Sequence, residues 1–306
     1  MISNIKRKLK VALSNPRLIG VKLLYRLSPL LPDKLYLKLL FPLKVGYKLN
    51  LENPQTYNEK LQWIKLYYRK PIMSVMADKY AAKQYIENII GDEYVVKNYG
   101  VWEHFNDIDF STLPESFVLK TTHDQGGVVV VKDKNELDIK KAKAKLERHL
   151  EKGTYHLMKE WPYKNIQSRI IAEELLMDTE KGDLWDYKFY CFNGEPKLMY
   201  ISHGRQSHTT YFDFYDMDFE KQDISRPGHP ISEKMIKKPE QWELMKEISR
   251  KLSAGWPHLR VDFYCIEGKL YLGELTFFQG GGMMPFYPES WDYKLGEMIA
   301  LSNIEK

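Results

Sequence analysis

The spacing of apolar positions changes once along the chain, and the change divides it. Up to about residue 115 the period is helical. After Asn53-Pro54-Gln55-Thr56, the residues Tyr57, Leu61, Ile64 and Tyr68 recur at helical intervals, and Thr56 with Glu59 makes a capping box. A second helix is expected over roughly Ser74 to Ile90, stopping at Gly91. Pro29, Pro32 and Pro42 should break residues 1–50 into short helices.

From Phe117 the pattern turns strand-like. Phe117 to Lys120 predicts a strand, Thr121 to Gly127 a polar loop, and Val128 to Lys132 a second strand. A charged helix capped by Asp138 should run to about Lys152. Arg169 to Leu176 predicts a further strand, with Glu173 and Glu174 towards its end. Trp185–Phe192 and Pro196–Ser202 should form a hairpin around Asn193-Gly194. Pro239 suits the first turn of a helix ending at Gly255, and a closing helix should start near Ser290. Helices first, then strands mixed with helices, predict an α+β protein of two lobes.

The chain of 306 residues can bury a full core. Its two cysteines, Cys191 and Cys265, lie in apolar runs, predict buried free thiols and suit the cytosol. No cleavable signal pattern and no run near the roughly 18 apolar residues of a membrane span is expected. The net charge of +5 is uneven: residues 1–50 carry eleven Lys or Arg against one acid, Asp33. There Lys6, Arg7, Lys8 and Lys10 precede Leu18, Ile19, Leu23, Leu24 and Leu27. Such a segment either lies on an anionic membrane surface or packs on the protein's own body. Nucleic acid is not an expected partner, because no binding motif accompanies the basic run and the remainder is acidic.

The candidate chemistry centres on Arg260–Thr276. Along a strand, Arg260 and Asp262 share a face, as do Glu274 and Thr276. A two-residue turn at Glu267-Gly268 would put Asp262 and Glu274 on opposite faces. A three-residue loop with a bulge would pair Asp262 with Glu274 and Arg260 with Thr276. Facing carboxylates repel unless a cation joins them, and hard oxygens suit Mg²⁺; a solvated hairpin face is the alternative. Gly280, Gly281 and Gly282 would let backbone N–H groups approach an anion, or form a flexible turn. Lys120, followed by the loop that ends at Gly126-Gly127, suits a flap over phosphates, without a P-loop signature. Glu173, Glu174, Asp186 and Lys188 would serve a nucleotide site or form ordinary surface ion pairs.

The ordered set resembles the ATP-grasp enzymes. It comprises Asp78-Lys79, Phe117–Lys120 with its glycine loop, Ile171–Glu174, Arg260-Val261-Asp262 and Gly273–Thr276. Asn53–Trp63, Asp186–Gly194 and Phe214–Phe219 resemble the teichuronopeptide-biosynthesis (TupA-like) branch, found with capsule and surface-polysaccharide genes. The likeness runs from about Leu51 to the C-terminus. Following the basic segment 1–50, it implies an ATP-grasp fold of two α+β lobes: a helical region 51–115, a small lobe with the flap at 116–176, and a metal-binding lobe at 177–306. It implies that Lys79 and Lys120 contact ATP phosphates beneath the Gly126-Gly127 loop. Glu173 and Glu174 would lie at the adenine hinge, and Asp178 or Glu180 near the ribose. Lys188 would face the phosphates or the acceptor, and Asp262 and Glu274 would hold Mg²⁺. Arg260 would stabilise the transferring phosphoryl group. Thr276 stands where the wider pattern has Asn, which leaves its part as a third metal ligand open.

The implied activity is an ATP-dependent carboxylate–amine ligase acting through an acyl phosphate on a glycan, or lipid-linked glycan, bearing a carboxylate or amine. The protein would be cytoplasmic and peripheral at the inner membrane face. A glycan kinase, a nucleotide-sugar glycosyltransferase and a non-catalytic scaffold are the competing readings.

Overall fold

The computed structural model describes residues 16–207 and 209–303; Lys6, Arg7, Lys8 and Lys10 lie outside them. Two antiparallel sheets dominate. The smaller has the order β1-β4-β2-β3, from Asn98–Trp102 (β1), Phe117–Thr121 (β2), Val128–Val131 (β3) and Ile170–Glu173 (β4). The larger has the order β10-β9-β5-β6-β7-β8. Its strands are Asp186–Phe192 (β5), Glu195–His203 (β6), Tyr211–Tyr215 (β7), Lys221–Gln222 (β8), His258–Ile266 (β9) and Lys269–Thr276 (β10).

Strand alternation gives each sheet one apolar face and one face bearing charge. In the small sheet Phe117, Leu119, Ile170 and Ala172 pack on Ala142 and Leu146 of helix α6, Ile139–Leu150. Asp138 caps that helix, accepting from Lys141 N at 2.9 Å. Val118, Lys120, Ile171 and Glu173 take the other face. In the large sheet Phe189 and Phe263 pack with Trp242 of helix α7, Trp242–Ser253. The opposite face carries Asp186, Lys188, Asp262 and Glu274. β1 lies inside the stretch whose pattern suggested helices only; its pairing with β4 is a long-range contact that periodicity does not register.

Among the described residues five α-helices precede the sheets: α1 (Pro16–Leu27), α2 (Asp33–Val45), α3 (Tyr57–Tyr67), α4 (Ile72–Ala77) and α5 (Ala81–Ile90). The capping box of α3 forms as its sequence predicts: Glu59 N reaches Thr56 Oγ1 at 3.1 Å, and Thr56 N reaches Glu59 Oε2 at 3.2 Å. Pro42 does not break α2, contrary to expectation. It sits in the last turn, and the helix runs on to Val45 and stops at Gly46, with φ +104°. The single helix expected over Ser74–Ile90 is two. Asp78 interrupts it by accepting Tyr80 N at 2.8 Å and the Arg169 guanidinium at 2.7 Å. The break holds Lys79 N against Thr122 O at 3.1 Å. α2 buries Tyr36, Leu37, Leu40 and Phe41 against Leu49, Leu51 and Met283.

The far end of the large sheet is tied down by Asp213. Its carboxylate lies 2.8 Å from His203 Nε2, and accepts from Ser232 N at 2.9 Å, Ser232 Oγ at 2.6 Å and Lys221 Nζ at 2.9 Å. Burial alone would raise its pKa; the bonds from His203, Ser232 and Lys221 outweigh that and hold it down at about 2. The ionised form is therefore favoured by the fold. Its contribution is complete above the ordinary value of 3.8 and disappears as pH falls through about 2. Asp213→Asn should cost about 2 kcal/mol at neutral pH. Urea unfolding of both proteins across acid pH checks this: the wild-type advantage should shrink below pH 3.8. An advantage that stays constant would exclude Asp213 as its source.

Candidate active site

The β9–β10 hairpin resolves the register question in an unexpected way. The turn has two residues, Glu267 at φ +49° and Gly268 at φ +79°, with Ile266 paired to Lys269. Alone, that turn would separate Asp262 from Glu274. A bulge at Gly273, between the pairs Leu272–Phe263 and Glu274–Asp262, restores the face. Asp262 thus opposes Glu274, and Arg260 opposes Thr276. Lys188 of β5 is the register partner of Asp262, so Glu274, Asp262 and Lys188 form one row across three strands.

The cation joining the two carboxylates in this structure is Arg260. Its Nε donates to Asp262 Oδ1 at 2.6 Å, and its Nη2 donates to Asp262 Oδ2 at 2.6 Å and Glu274 Oε1 at 2.7 Å. Lys188 Nζ adds a 2.5 Å bond to Asp262 Oδ2. Burial works against the charge on Glu274, yet Arg260, Lys188 and Lys79 hold its pKa down at about 2. The guanidinium of Arg260 is correspondingly held charged by Asp262.

A divalent cation has limited room here. Both Asp262 oxygens are engaged, and among the described residues no three His, Cys, Asp or Glu side chains converge on a metal position. Glu274 Oε2, by contrast, has no partner among the described residues, and the side chain is 43% exposed. One or two carboxylates completed by phosphate and water oxygens is the set Mg²⁺ accepts, so the residues fit that ion if a ligand supplies the remainder. The Thr276 hydroxyl is already used: it donates to Glu274 Oε1 at 3.1 Å and accepts from Arg260 at 3.1 Å. It is placed to hold Glu274 in position.

The small sheet faces this row across a cleft of about 650 Å³. Lys120 Nζ lies 2.5 Å from Glu173 Oε2, and Lys83 Nζ 2.7 Å from Glu173 Oε1. Although burial opposes it, the two lysines lower the pKa of Glu173. Lys79 Nζ donates to Asp124 O at 2.5 Å and Thr121 O at 3.2 Å, and burial lowers its pKa. In the loop between β2 and β3, Asp124 bonds the Thr121 hydroxyl and His149 of α6. Gly127 O accepts Thr121 N at 2.8 Å, and a Cβ on Gly127 would lie 1.9 Å from Thr121 Oγ1. Gly126, at φ +96°, and Gly127 shape the loop, while Gln125 and Val128 line the cleft.

The predicted strand through Leu176 ends at Glu173. Residues 174–178 continue along the cleft without strand pairing, Glu174 N bonding Lys97 O at 3.0 Å. Val118, Val96, Leu176 and Leu272 make this end apolar. Asp178 lines it and accepts Lys181 Nζ at 2.5 Å; against the effect of burial, that bond lowers its pKa. Glu180 is exposed. Two further cleft residues, Lys83 and Arg205, escaped the sequence reading. Lys83 follows Lys79 by four residues, a signal available in the sequence. Arg205, which contacts Asp186, has none.

Gly280, Gly281 and Gly282 do not line the cleft, and the expectation of an anion loop needs correction. All three have positive φ, at +57°, +66° and +61°. Their neighbours are packed: a Cβ would fall 2.1 Å from Met284 Cγ, 2.8 Å from Met158 Cγ and 2.6 Å from Gln62 Nε2 respectively. Carbonyls rather than N–H groups are presented. Gly281 O accepts from buried Lys65 at 2.7 Å, and Gly282 O from Gln62 at 2.7 Å. The run therefore serves packing and caps a buried ammonium.

The cleft lies between two antiparallel sheets, with lysines on one wall and the row Glu274, Asp262 and Lys188 on the other; Arg260 sits behind that row and does not line the cleft. A family model described as TupA-like ATP-grasp matches residues 59–300, and the chain belongs to that family. Among solved structures it is similar to D-alanine–D-alanine ligase from Bacillus anthracis complexed with ATP, at 18% identity and a TM-score of 0.42, over 74% of this chain and 65% of that one. D-alanine–D-alanine ligase from Helicobacter pylori matches at 16% and 0.43, over 81% and 69%. An ADP complex of N5-carboxyaminoimidazole ribonucleotide synthetase matches at 16% and 0.42, over 72% and 50%. The chain thus spans just under two thirds of the first of these. No curated protein matches it.

Gly281→Ala should lower stability by at least about 1–2 kcal/mol from the left-handed backbone alone. Urea denaturation measures this, and an unchanged midpoint would mean that the run is a free loop.

Proposed function

We propose that the protein is an ATP-dependent carboxylate–amine ligase that adds an amide-linked group to a cell-surface polysaccharide or its precursor. The observation that carries this reading is the Arg260-bridged pair of Asp262 and Glu274 facing Lys79 and Lys120 across the cleft. The apolar end beside residues 174–176 takes adenine, and Asp178 takes the ribose. Lys79, Lys120 and the loop amides near Gly126 and Gly127 hold the phosphates. Glu274, through Oε2, would hold Mg²⁺, which would neutralise phosphate charge when bound, and Asp262 would join it where a ligand draws Arg260 or Lys188 away from its oxygens.

Arg260 and Lys188 then lie where the γ-phosphoryl group is transferred, and their positive charge stabilises it. The substrate carboxylate oxygen bonds the γ-phosphorus while the bond to ADP breaks. The amine then attacks the acyl carbon, phosphate leaves, and the amine gives up a proton. The resemblance to proteins that occur with capsule genes supports a glycan bearing a carboxylate or an amine as substrate. Purified protein given ATP, Mg²⁺, surface glycan and an amine donor should release ADP and free phosphate in step with amide. Glu274→Gln should slow this by about 100-fold or more. Turnover unchanged in Glu274→Gln would sink the assignment of this hairpin.

The same reading places the protein in the cytoplasm, peripheral at an anionic membrane. Among the described residues no helix is long and apolar enough to cross a bilayer. Leu18, Ile19, Leu23, Leu27, Leu30, Leu35 and Leu39 are exposed on or beside α1 and α2, with Leu30 reaching 80%. Arg17, Lys22, Arg26, Lys34 and Lys38 are exposed among them, so the apolar stripe has a basic rim. Sedimentation with vesicles tests this. Binding should require anionic lipid and be lost in Leu23→Glu/Leu30→Glu. Equal binding to neutral vesicles, or none, contradicts it.

A further inference from the structure

Lys79 lines the cleft with its Nζ bonded to the carbonyls of Thr121 and Asp124. An ammonium has three N–H groups, and these carbonyls take two of them. Among the described residues no third acceptor meets it, so one donor remains for a ligand in the cleft. A long, flexible lysine side chain keeps such a placement only if the backbone beneath it is fixed. The residue that fixes it lies outside the cleft.

Arg169 immediately precedes β4, is half-buried and lines no part of the cleft. Its Nη2 donates to Asp78 Oδ2 at 2.7 Å, and its guanidinium lies over the Tyr80 ring at 4.8 Å. One side chain thus grips both neighbours of Lys79. The backbone closes the circuit. Lys79 N donates to Thr122 O at 3.1 Å, and Thr122 N donates to Arg169 O at 2.9 Å. The circuit joins the break between α4 and α5, the start of the β2–β3 loop and the start of β4. Its other links are main-chain bonds, and the pair of Arg169 with Asp78 is the link made by side chains. Asp78 does not need that pair for its local task. Its Oδ1 accepts Tyr80 N at 2.8 Å and Ala81 N at 3.3 Å, which serves the start of α5. The bond through Oδ2 ties the helix break to the small sheet instead.

We infer that Arg169 is a positioning residue for phosphate binding: through Asp78 and Tyr80 it holds Lys79 on the β2–β3 loop with one donor left for the nucleotide. The inference rests on the reading of the cleft as an ATP site and adds to it a residue that touches no ligand.

Titration calorimetry of the full chain with a non-hydrolysable ATP analogue and Mg²⁺ tests this in four proteins: wild type, Arg169→Met, Lys79→Met and the double variant. Arg169→Met should weaken binding about 10-fold when Lys79 is present and less than about 2-fold beside Lys79→Met. A general loosening of the small sheet would weaken both backgrounds alike. Asp78→Asn keeps an oxygen for Tyr80 N and Ala81 N and puts an amide N–H against Arg169. It should show the same dependence on Lys79, and it decides the matter if Arg169→Met does not fold. Equal losses in the two backgrounds, no loss in either, or unchanged binding in Lys79→Met overturns the inference. Wild-type protein that binds the analogue while the variants fail this pattern loses only the positioning role; wild-type protein that does not bind it loses the ATP-site reading as well.

Discussion

Two carboxylates opposed on adjacent strands, Asp262 and Glu274, set the terms for the site. Left alone they would repel, and Asp262, which is buried, would be costly to keep charged. Arg260 resolves this with a forked contact to both, and Lys188 closes the row from β5. The cluster has two acids and two bases, so it can sit in the sheet without a metal. It leaves one oxygen, Glu274 Oε2, facing the cleft. A neutral, pre-aligned cluster with a single outward ligand is suited to receiving a cation that arrives with phosphates.

The backbone that makes this possible turns on one residue. The turn at Glu267-Gly268 is tight, and its register would send Glu274 to the apolar face against α7. The bulge at Gly273 returns it. On the opposite wall, the break at Asp78 serves a comparable purpose, holding Lys79 against the β2–β3 loop. Glu173 gathers Lys83 and Lys120. Each wall thus presents charges already partnered within the protein, with the apolar end between them.

Much of the local structure was legible in the sequence because its causes are local. The capping box at Thr56, the Asn193-Gly194 hairpin and the Asp138 cap depend on residues within a few positions of one another. The pairing of Asp262 with Glu274 was legible only as a condition, because a bulge leaves no unambiguous mark: Gly273 could equally have been an ordinary strand glycine. The glycine run was misjudged because three glycines suit an anion loop and a crowded left-handed turn equally well. What separates the two is the presence of Met158, Leu61 and Gln62, all distant in sequence. Arg205 was invisible for the same reason, since a lone arginine acquires meaning only from what surrounds it. The resemblance to the TupA-like branch supplied the order of the pieces, while the spacing of each piece alone left a solvated face open.

The most direct test of the central claim is a crystal structure with Mn²⁺ and a non-hydrolysable ATP analogue, with the metal located by anomalous scattering. The peak should lie against Glu274, between it and the analogue's phosphates, with Lys79 and Lys120 on the phosphate oxygens. A metal peak away from Glu274, with Arg260 still bridging both carboxylates and the analogue bound elsewhere, would contradict it.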